Sequence, residues 1–66
     1  MKLLLVEDSE ALSRAVVKAL KASGFAVDAT GNGSDGLWMA LENDYDVIIL
    51  DIMLPGLDGR EVLKKL

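Results

Sequence analysis

Acidic residues stand directly after two apolar runs in this 66-residue chain. Glu7 and Asp8 follow residues 3–6, and Asp51 follows residues 47–50. Unbroken apolar runs are typical of parallel strands that helices cover on both faces. Because parallel neighbours lie about 4.8 Å apart and end at the same edge of the sheet, we expect the three carboxylates to lie close together. In open α/β sheets, ligands bind outside that edge.

Three carboxylates in one pocket repel one another unless a raised pKa or a bound cation relieves the repulsion. Magnesium takes oxygen ligands and commonly uses one or two carboxylates, keeping its other positions for water and phosphate oxygens. A carboxylate can also attack phosphorus to form an aspartyl phosphate, while a cation neutralises charge on the phosphoryl oxygens. The acids therefore predict a magnesium site beside a carboxylate nucleophile.

The residues after Asp51 predict a loop with defined turns. Pro55 fixes its own φ and removes a backbone donor, whereas Gly56 and Gly59 permit conformations that are closed to other residues. Asp51 is therefore expected at the carboxyl end of a strand, beside a shaped loop.

Composition restricts the classes of function. With 52% hydrophobic and 27% charged residues, the chain is typical of a small globular domain. The net charge of −4, with acids and bases interleaved, disfavours nucleic-acid contact or membrane binding by this segment. The absence of Cys and His excludes disulfides and leaves oxygen ligands for any metal. Met1 leads into the first apolar run without a signal-peptide layout, so a cytoplasmic location is expected.

Hydrophobic spacing and turn residues predict three strands that alternate with three helices, in the order βαβαβα. Right-handed crossovers between such strands give a parallel α/β sheet. The strands are expected at residues 2–6, 25–30 and 46–50, and the helices from a cap at Asp8 or Ser9 to about Ser23, at 35–43 with a cap at Ser34, and from about 58 onwards.

The first two helices are expected to pack one face on the sheet, and Gly24 is expected to stop the first of them. The apolar faces are expected at Leu12, Ala15, Val16, Ala19 and Leu20 in the first helix, and at Leu37, Ala40 and Leu41 in the second. Phe25 to Thr30, interrupted by Asp28, suits an edge strand.

Residues 3–66 closely resemble the first half of a response-regulator receiver domain, the phosphoacceptor module of two-component signalling. Two segments carry the resemblance: Leu4-Leu5-Val6-Glu7-Asp8, and Leu50-Asp51-Ile52-Met53-Leu54-Pro55-Gly56-Leu57-Asp58-Gly59. The resemblance implies that Asp51 accepts the phosphoryl group and that Glu7 and Asp8 hold Mg²⁺. It also implies that the backbone carbonyl of Met53 adds a metal ligand.

The resemblance further implies a flavodoxin-like (βα)5 fold of which residues 1–66 form a truncated N-terminal half, with strand order 2-1-3. It implies a phosphoacceptor rather than an enzyme, with a sensor histidine kinase as donor and an output that is DNA-binding and transcriptional. The hydroxyl residue, switch aromatic and phosphate-pairing lysine of the family's later strands have no counterpart here.

Strand 3, which is interior in the family's full domain, would become an uncovered apolar edge, and such edges invite pairing with another chain. A homodimer or a swapped oligomer through this edge is therefore expected. The alternative function is a structural half-fold that self-associates and does not signal.

Two enzyme-like interpretations fit less well. Residues 31–36 match G-x-G-x-x-G, with Asp51 placed as a dinucleotide fingerprint requires, yet the preceding strand looks like an edge and the fingerprint belongs to a buried first strand. Gly33 then serves turn geometry and Gly36 a tight helix-to-sheet contact. A metal-dependent phosphohydrolase usually has a second acid two positions after the nucleophile, where this chain has Met53.

Overall fold

The computed structural model describes residues 1–50 and 64–65. Strands and helices alternate along the first of these ranges: β1 (Lys2–Val6), α1 (Glu10–Ala22), β2 (Ala26–Thr30), α2 (Gly33–Glu42) and β3 (Val47–Leu50). Lys64 and Lys65 are helical and exposed. The loop predicted after Asp51 and the predicted start of the third helix lie outside the described residues. No helix in the described ranges is both long and apolar enough to span a membrane.

The three strands form a parallel sheet in the order β2-β1-β3, as predicted. The first strand in sequence is therefore the central one. Its last residue, Val6, pairs with Thr30 on one side and with Leu50 on the other. Because right-handed crossovers lead from β1 outwards to β2 and then back across to β3, α1 and α2 lie on opposite faces of the sheet.

The core is concentrated in β1. Leu3, Leu4, Leu5 and Val6 are 4%, 0%, 4% and 1% exposed, and they are the buried hydrophobic residues of the described part of the chain. Successive side chains of a strand point to opposite faces, and a neighbouring strand lies on each side. Burial of all four therefore requires cover on both faces of the sheet, where α2 contacts β1 and β2 and α1 contacts β2.

Helix α1 begins and ends where the sequence predicts. The Oγ atom of Ser9 accepts a hydrogen bond from the backbone N–H of Leu12 at 3.4 Å, so Ser9 rather than Asp8 is the cap. Gly24 follows the helix with φ +92°, the left-handed conformation that favours glycine. Its N–H donates to the carbonyl of Lys21 at 3.0 Å.

The face that α1 turns to the sheet differs from the predicted one. Val16 and Leu20 are half-buried as expected, but Leu12, Ala15 and Ala19 are exposed. Their places are taken by Ser13 and Val17, which are half-buried. The half-buried stripe is therefore Ser13, Val16, Val17 and Leu20, so the helix is rotated relative to the predicted face where it packs over β2.

Helix α2 begins at Gly33, because Asn32 caps it. The Oδ1 atom of Asn32 accepts hydrogen bonds from the N–H groups of Ser34 at 2.8 Å and Asp35 at 3.1 Å. The predicted cap at Ser34 was wrong, and Gly33 lies in the first helical turn rather than in a free turn.

The buried face of α2 is also narrower than predicted. Leu37 and Ala40 are half-buried, but Leu41 is 62% exposed and Trp38 is 64% exposed. The buried members of the helix are Gly33 and Gly36, which lets its backbone approach the sheet closely.

Gly36 makes the tight helix-to-sheet contact that the sequence predicts. A Cβ atom at this position would lie 2.9 Å from both Cγ atoms of Val6 and 3.5 Å from the Cγ2 atom of Thr30. Val6 is itself fully enclosed, so neither the strand nor the helix can give way without loosening the core.

A polar network fastens the amino-terminal part of the sheet. The hydroxyl of Tyr45 donates a hydrogen bond to Oδ2 of Asp28 at 2.6 Å, and the Nζ atom of Lys2 lies 3.9 Å from the same oxygen. The ammonium also lies 5.0 Å from the centroid of the Tyr45 ring, within cation–π range. These contacts connect the residues just before β3 with β2, across β1.

Asp46 extends the pairing of β3 with β1 by one residue. Its N–H donates to the carbonyl of Lys2 at 2.8 Å, and its Oδ2 atom accepts from the N–H of Lys2 at 2.7 Å. Strand β3 itself begins at Val47, one residue after the predicted start.

We expect Gly36→Ala to lower the free energy of unfolding by about 1–3 kcal/mol, the usual cost of overpacking a core, even though alanine favours the helix by about 1 kcal/mol. Urea denaturation measures the change. Ser34→Ala, an exposed change in the same helix, is the control and is expected to stay within about 0.5 kcal/mol of the parent. A Gly36→Ala variant more stable than the parent would contradict the close contact.

The Tyr45 hydroxyl makes stability depend on pH in the alkaline range. Partial burial, the hydrogen bond to Asp28 and the charge of that carboxylate together raise the pKa of Tyr45 to about 12. In the unfolded chain the pKa is about 10. The Tyr45 hydroxyl therefore loses its proton at a higher pH in the folded state than in the unfolded chain. Its contribution to the free energy of unfolding is complete below about pH 10 and is lost as the pH rises towards 12.

We expect the tyrosinate absorbance of the folded chain to appear well above pH 10, the usual value for tyrosine. The reading is unambiguous because Tyr45 is the one tyrosine in the sequence. The free energy of unfolding should fall over the same interval, and Tyr45→Phe should remove that part of the fall. If Tyr45 titrates at the ordinary pKa of tyrosine, its hydroxyl does not donate the hydrogen bond to Asp28 in solution.

Candidate functional site

The predicted acidic site begins where the buried strand ends. Val6 is 1% exposed, Glu7 is half-buried, and Asp8 is exposed. The N–H of Glu7 donates to the carbonyl of Thr30 at 3.0 Å, which continues the pairing of β1 with β2 for one residue beyond the strand. The backbone that carries Glu7 is therefore held as firmly as the sheet itself.

The Glu7 carboxylate is held near the start of α1. Its Oε1 atom accepts a hydrogen bond from the N–H of Ser9 at 3.1 Å. A carboxylate at a helix N-terminus is favoured by the exposed N–H groups and by the helix dipole. One oxygen of Glu7 is thereby occupied, while the capping role that competes for Asp8 in the sequence is carried out by Ser9.

An open groove of about 310 Å³ runs beside these acids, between the first turns of α1 and the carboxyl end of β2. It is lined by Glu7, Asp8, Glu10, Ser13, Arg14, Ala29, Thr30 and Gly31. At Gly31 a Cβ atom would lie 3.5 Å from the carbonyl oxygen of Glu7 and 3.7 Å from the Cα of Asp8. These are ordinary contact distances, so the turn after β2 packs directly on the acidic loop.

The charge of the groove is mostly negative. Three acidic residues, Glu7, Asp8 and Glu10, and the basic residue Arg14 are part of its lining. The Nη2 atom of Arg14 lies 3.7 Å from Oε2 of Glu10, and the two side chains are 82% and 86% exposed. A pair this exposed contributes little to stability.

The remaining predicted site residues are Asp51 and Met53, and both lie outside the described residues. Leu50, which precedes Asp51 in the sequence, pairs with Val6, which precedes Glu7. In residues 1–50 and 64–65, no three Asp or Glu side chains come close enough together to hold a metal ion. The four-residue ligand set of Glu7, Asp8, Asp51 and Met53 therefore stays a prediction.

The sequence analysis did not predict that Arg14 lines this groove. The periodicity of α1 assigns it to the polar side of the helix, where a solvated side chain is the usual outcome. The Glu10–Arg14 spacing of four residues was the available signal, since such positions are neighbours on a helix surface. The spacing does not show that Gly31, in the turn after β2, lines the same groove as Arg14.

The glycines of residues 31–36 have packing positions. Gly31 contacts the acidic loop and Gly36 contacts Val6, while β2 is an edge strand of the described sheet. These positions favour the packing interpretation over the dinucleotide fingerprint, in which the glycines follow a central strand.

Comparison with known proteins identifies the family. The family model for the response regulator receiver domain matches residues 3–66 of this chain. This chain belongs to that family. The receiver is also 48% identical, over its full 66 residues, to the transcriptional regulatory protein HprR of Escherichia coli K12, and it spans 30% of the length of HprR.

Solved structures agree with the fold. The response regulator TrrA of Thermotoga maritima, in complex with Mg²⁺-BeF, matches with a TM-score of 0.90 and 31% identity over 97% of this chain and 56% of that one. TrrA in complex with the histidine kinase ThkA matches with a TM-score of 0.87 and 31% identity, over 97% and 55% of the two chains. The receiver thus has the flavodoxin-like arrangement of its family, with strand order 2-1-3.

Proposed function

We propose that this receiver accepts a phosphoryl group on Asp51 and thereby controls the output of a two-component response regulator. The observation that carries the proposal is the pairing of Val6 with Leu50. It brings the ends of β1 and β3 to one edge of the sheet, and the next residues in sequence are Glu7 and Asp51. The family and the acid pair on β1 support the same conclusion.

The donor set fits magnesium. The chain offers only oxygen ligands in place of thiolate or imidazole, because it has no Cys or His. Glu7, Asp8 and Asp51 would bind the ion through carboxylates, and Met53 through its backbone carbonyl. The ion would neutralise charge on the phosphoryl oxygens. The complex of TrrA with Mg²⁺-BeF supports this assignment.

The chemistry of the chain itself is a single displacement at phosphorus. An oxygen of the Asp51 carboxylate forms the new bond to phosphorus, while the bond from phosphorus to the donor breaks and its electron pair leaves with the donor. For a phosphohistidine the leaving atom is the imidazole nitrogen, and for an acyl phosphate it is the carboxylate oxygen. The receiver is thus a phosphoacceptor rather than an enzyme that turns over.

A sensor histidine kinase is the proposed donor, and the complex of TrrA with the histidine kinase ThkA supports it. The proposed output is DNA-binding and transcriptional, and the relative HprR is named a transcriptional regulatory protein. Charge gained at Asp51 would bias a conformational equilibrium that the output reads. With a net charge of −4, this segment is expected to make no nucleic-acid contact of its own. The cytoplasmic location stays a prediction.

Self-association is a second candidate function, and the surface of β3 favours it. Val47 and Ile49 are 42% and 40% exposed. They lie on one face of the strand, in register with Leu3 and Leu5, which are buried. In the described part of the chain β3 has a neighbouring strand, β1, on one side. We propose that residues 1–66, which span 56% of the TrrA chain, pair through β3 as a homodimer or a swapped oligomer.

Incubation of the folded chain with Mg²⁺ and acetyl phosphate should raise its intact mass by about 80 Da, the mass of one phosphoryl group. Asp51→Ala should abolish the gain in mass. Asp8→Asn should slow the gain by about tenfold or more, because it removes a carboxylate that would hold the Mg²⁺ ion, and the charge on the phosphoryl oxygens in the transition state is then less well neutralised. Asp35→Asn, an exposed acid on α2, is the matched control and should behave as the parent. A gain that persists in Asp51→Ala would place the acceptor elsewhere.

Sedimentation equilibrium should show a dimer for the parent chain if the β3 surface mediates self-association. Ile49→Lys should weaken the dimer by about tenfold or more, because it places a charge in an apolar interface. Leu41→Lys, at an exposed apolar position on α2, is the control and should leave the dimer intact. A folded monomer at high concentration would exclude the second candidate, whereas a dimer that gains no phosphoryl group would favour the non-signalling half-fold.

A further inference from the structure

Asn32 and Gly33 form the one Asn-Gly pair of the sequence. In such a pair the backbone nitrogen of the glycine can attack Cγ of the asparagine, because a glycine has no side chain to hinder the approach. The new bond from nitrogen to Cγ closes an imide ring, and the side-chain nitrogen leaves as ammonia with the proton of the glycine N–H. Water then opens the ring. Attack of water at Cγ gives aspartate, and attack at the backbone carbonyl carbon gives isoaspartate, in which the main chain runs through Cγ.

The backbone of Asn32 opposes this reaction in the folded chain. Its φ of −121° and ψ of 129° are those of an extended residue. Ring closure requires the Gly33 nitrogen to eclipse Cβ of Asn32 about the Cα–C bond, and for an L-residue this needs a strongly negative ψ, outside the main allowed regions. The observed ψ therefore turns the attacking nitrogen away from the side chain that it must reach.

Hydrogen bonds on every polar part of Asn32 except its NH₂ group hold this conformation. The side-chain Oδ1 atom accepts from the N–H groups of Ser34 at 2.8 Å and Asp35 at 3.1 Å. The backbone carbonyl accepts from the N–H of Gly36 at 2.9 Å, and the backbone N–H donates to Oγ1 of Thr30 at 3.3 Å. Rotation to a negative ψ breaks the bonds to the first helical turn, so the ring cannot close until this turn opens.

We propose that Asn32 is a deamidation site that the folded receiver protects, so that conversion proceeds through chains in which the first turn of α2 has opened. Gly33 is buried, so water also reaches the reacting atoms after opening. The opening of a helix end has its own free energy, which lies between zero and that of global unfolding. The inference goes beyond the proposed phosphoacceptor function and involves neither Asp51 nor a metal.

The two products have different consequences for the fold. Aspartate keeps an acceptor oxygen at the cap, and Asp and Asn cap helices about equally well. Isoaspartate adds a carbon to the main chain before Gly33 and carries its free carboxylate on Cα, so the spacing that lets Oδ1 meet Ser34 and Asp35 is lost. Because Gly31 packs against the backbone of Glu7 and Asp8, the isoaspartyl chain is altered directly beside the acidic loop.

The sequence supplies an internal control. It contains two asparagines, Asn32 and Asn43, and no glutamine, so conversion of an amide to an acid has few possible sources. Asn43 ends α2 in a similarly extended conformation, with ψ 156°, but the side chain of the following Asp44 hinders attack by its nitrogen. Glu42 lies between the two asparagines, so cleavage after glutamate places them in separate fragments.

The first measurement is the conversion of each asparagine during incubation in mildly alkaline buffer, with and without denaturing urea, followed by mass spectrometry of these fragments. In urea Asn32 should convert several-fold faster than Asn43. Without urea its conversion should be slower by about tenfold or more, because the reaction then depends on opening of α2. Equal rates at Asn32 with and without urea, or a rate in urea no greater than that of Asn43, would overturn the inference.

The second measurement uses variants under folding conditions. Gly36→Ala, which crowds Val6 and loosens α2, should raise the rate at Asn32 by about fivefold or more. Ser34→Ala, which keeps the backbone N–H that Asn32 accepts from, is the matched control and should convert as the parent does. Asn32→Asp should give no conversion in its fragment and should unfold as the parent does. A Gly36→Ala chain that is less stable than the parent but converts at the parental rate would show that α2 does not protect Asn32, and would overturn the inference.

Discussion

The enclosure of β1 is the constraint on which the rest of the described structure depends. One strand of five residues carries the four hydrophobic side chains that are buried in the described part of the chain, and it lies at the centre of the sheet with a neighbouring strand on each side. Each such side chain stabilises the fold by about 1.5–3 kcal/mol when it leaves water. In a chain this short, where only about 60% of the surface is buried on folding, few other contacts can compensate for their loss. Gly36 packs α2 against Val6 of β1, and the polar network of Lys2, Asp28 and Tyr45 links β2 with the residues just before β3, across β1.

Strand β1 also fixes the backbone position of the candidate site. Glu7 follows the most buried hydrophobic run among the described residues, and its backbone N–H still donates a hydrogen bond to the carbonyl of Thr30. The cap at Ser9 then starts α1 at once, so that the polar side chains of the first helical turns line the same groove as the acids. The apolar strand β1 therefore positions Glu7 and Asp8, and α1 contributes the charged side chains near them.

Much of this arrangement follows from the sequence alone, because its signals are local. The apolar run of β1, the cap at Ser9 and the stop at Gly24 each depend on residues within one turn or strand, and all three are confirmed. The errors arise where two local solutions compete. Asn32 and Ser34 can both cap a helix, and the amphipathic pattern of α1 fits more than one rotation about its axis. Periodicity cannot show which neighbours a face will meet, so neither the exposure of Leu41 nor the contact of Tyr45 with Asp28 was predictable.

The position of β1 at the centre of the sheet also has a consequence for the nascent chain. The most buried of the described strands is synthesised before both of its neighbours, and Val47, the partner of Leu3 in β3, lies 44 positions after Leu3. At about 5–20 residues per second, the strand waits several seconds before its second neighbour has been synthesised. Contacts of such long sequence separation also close slowly once the chain is complete. During this interval residues 3–6 lack the neighbours that bury them in the folded receiver, so the strand that stabilises the fold is also an exposed apolar segment during synthesis.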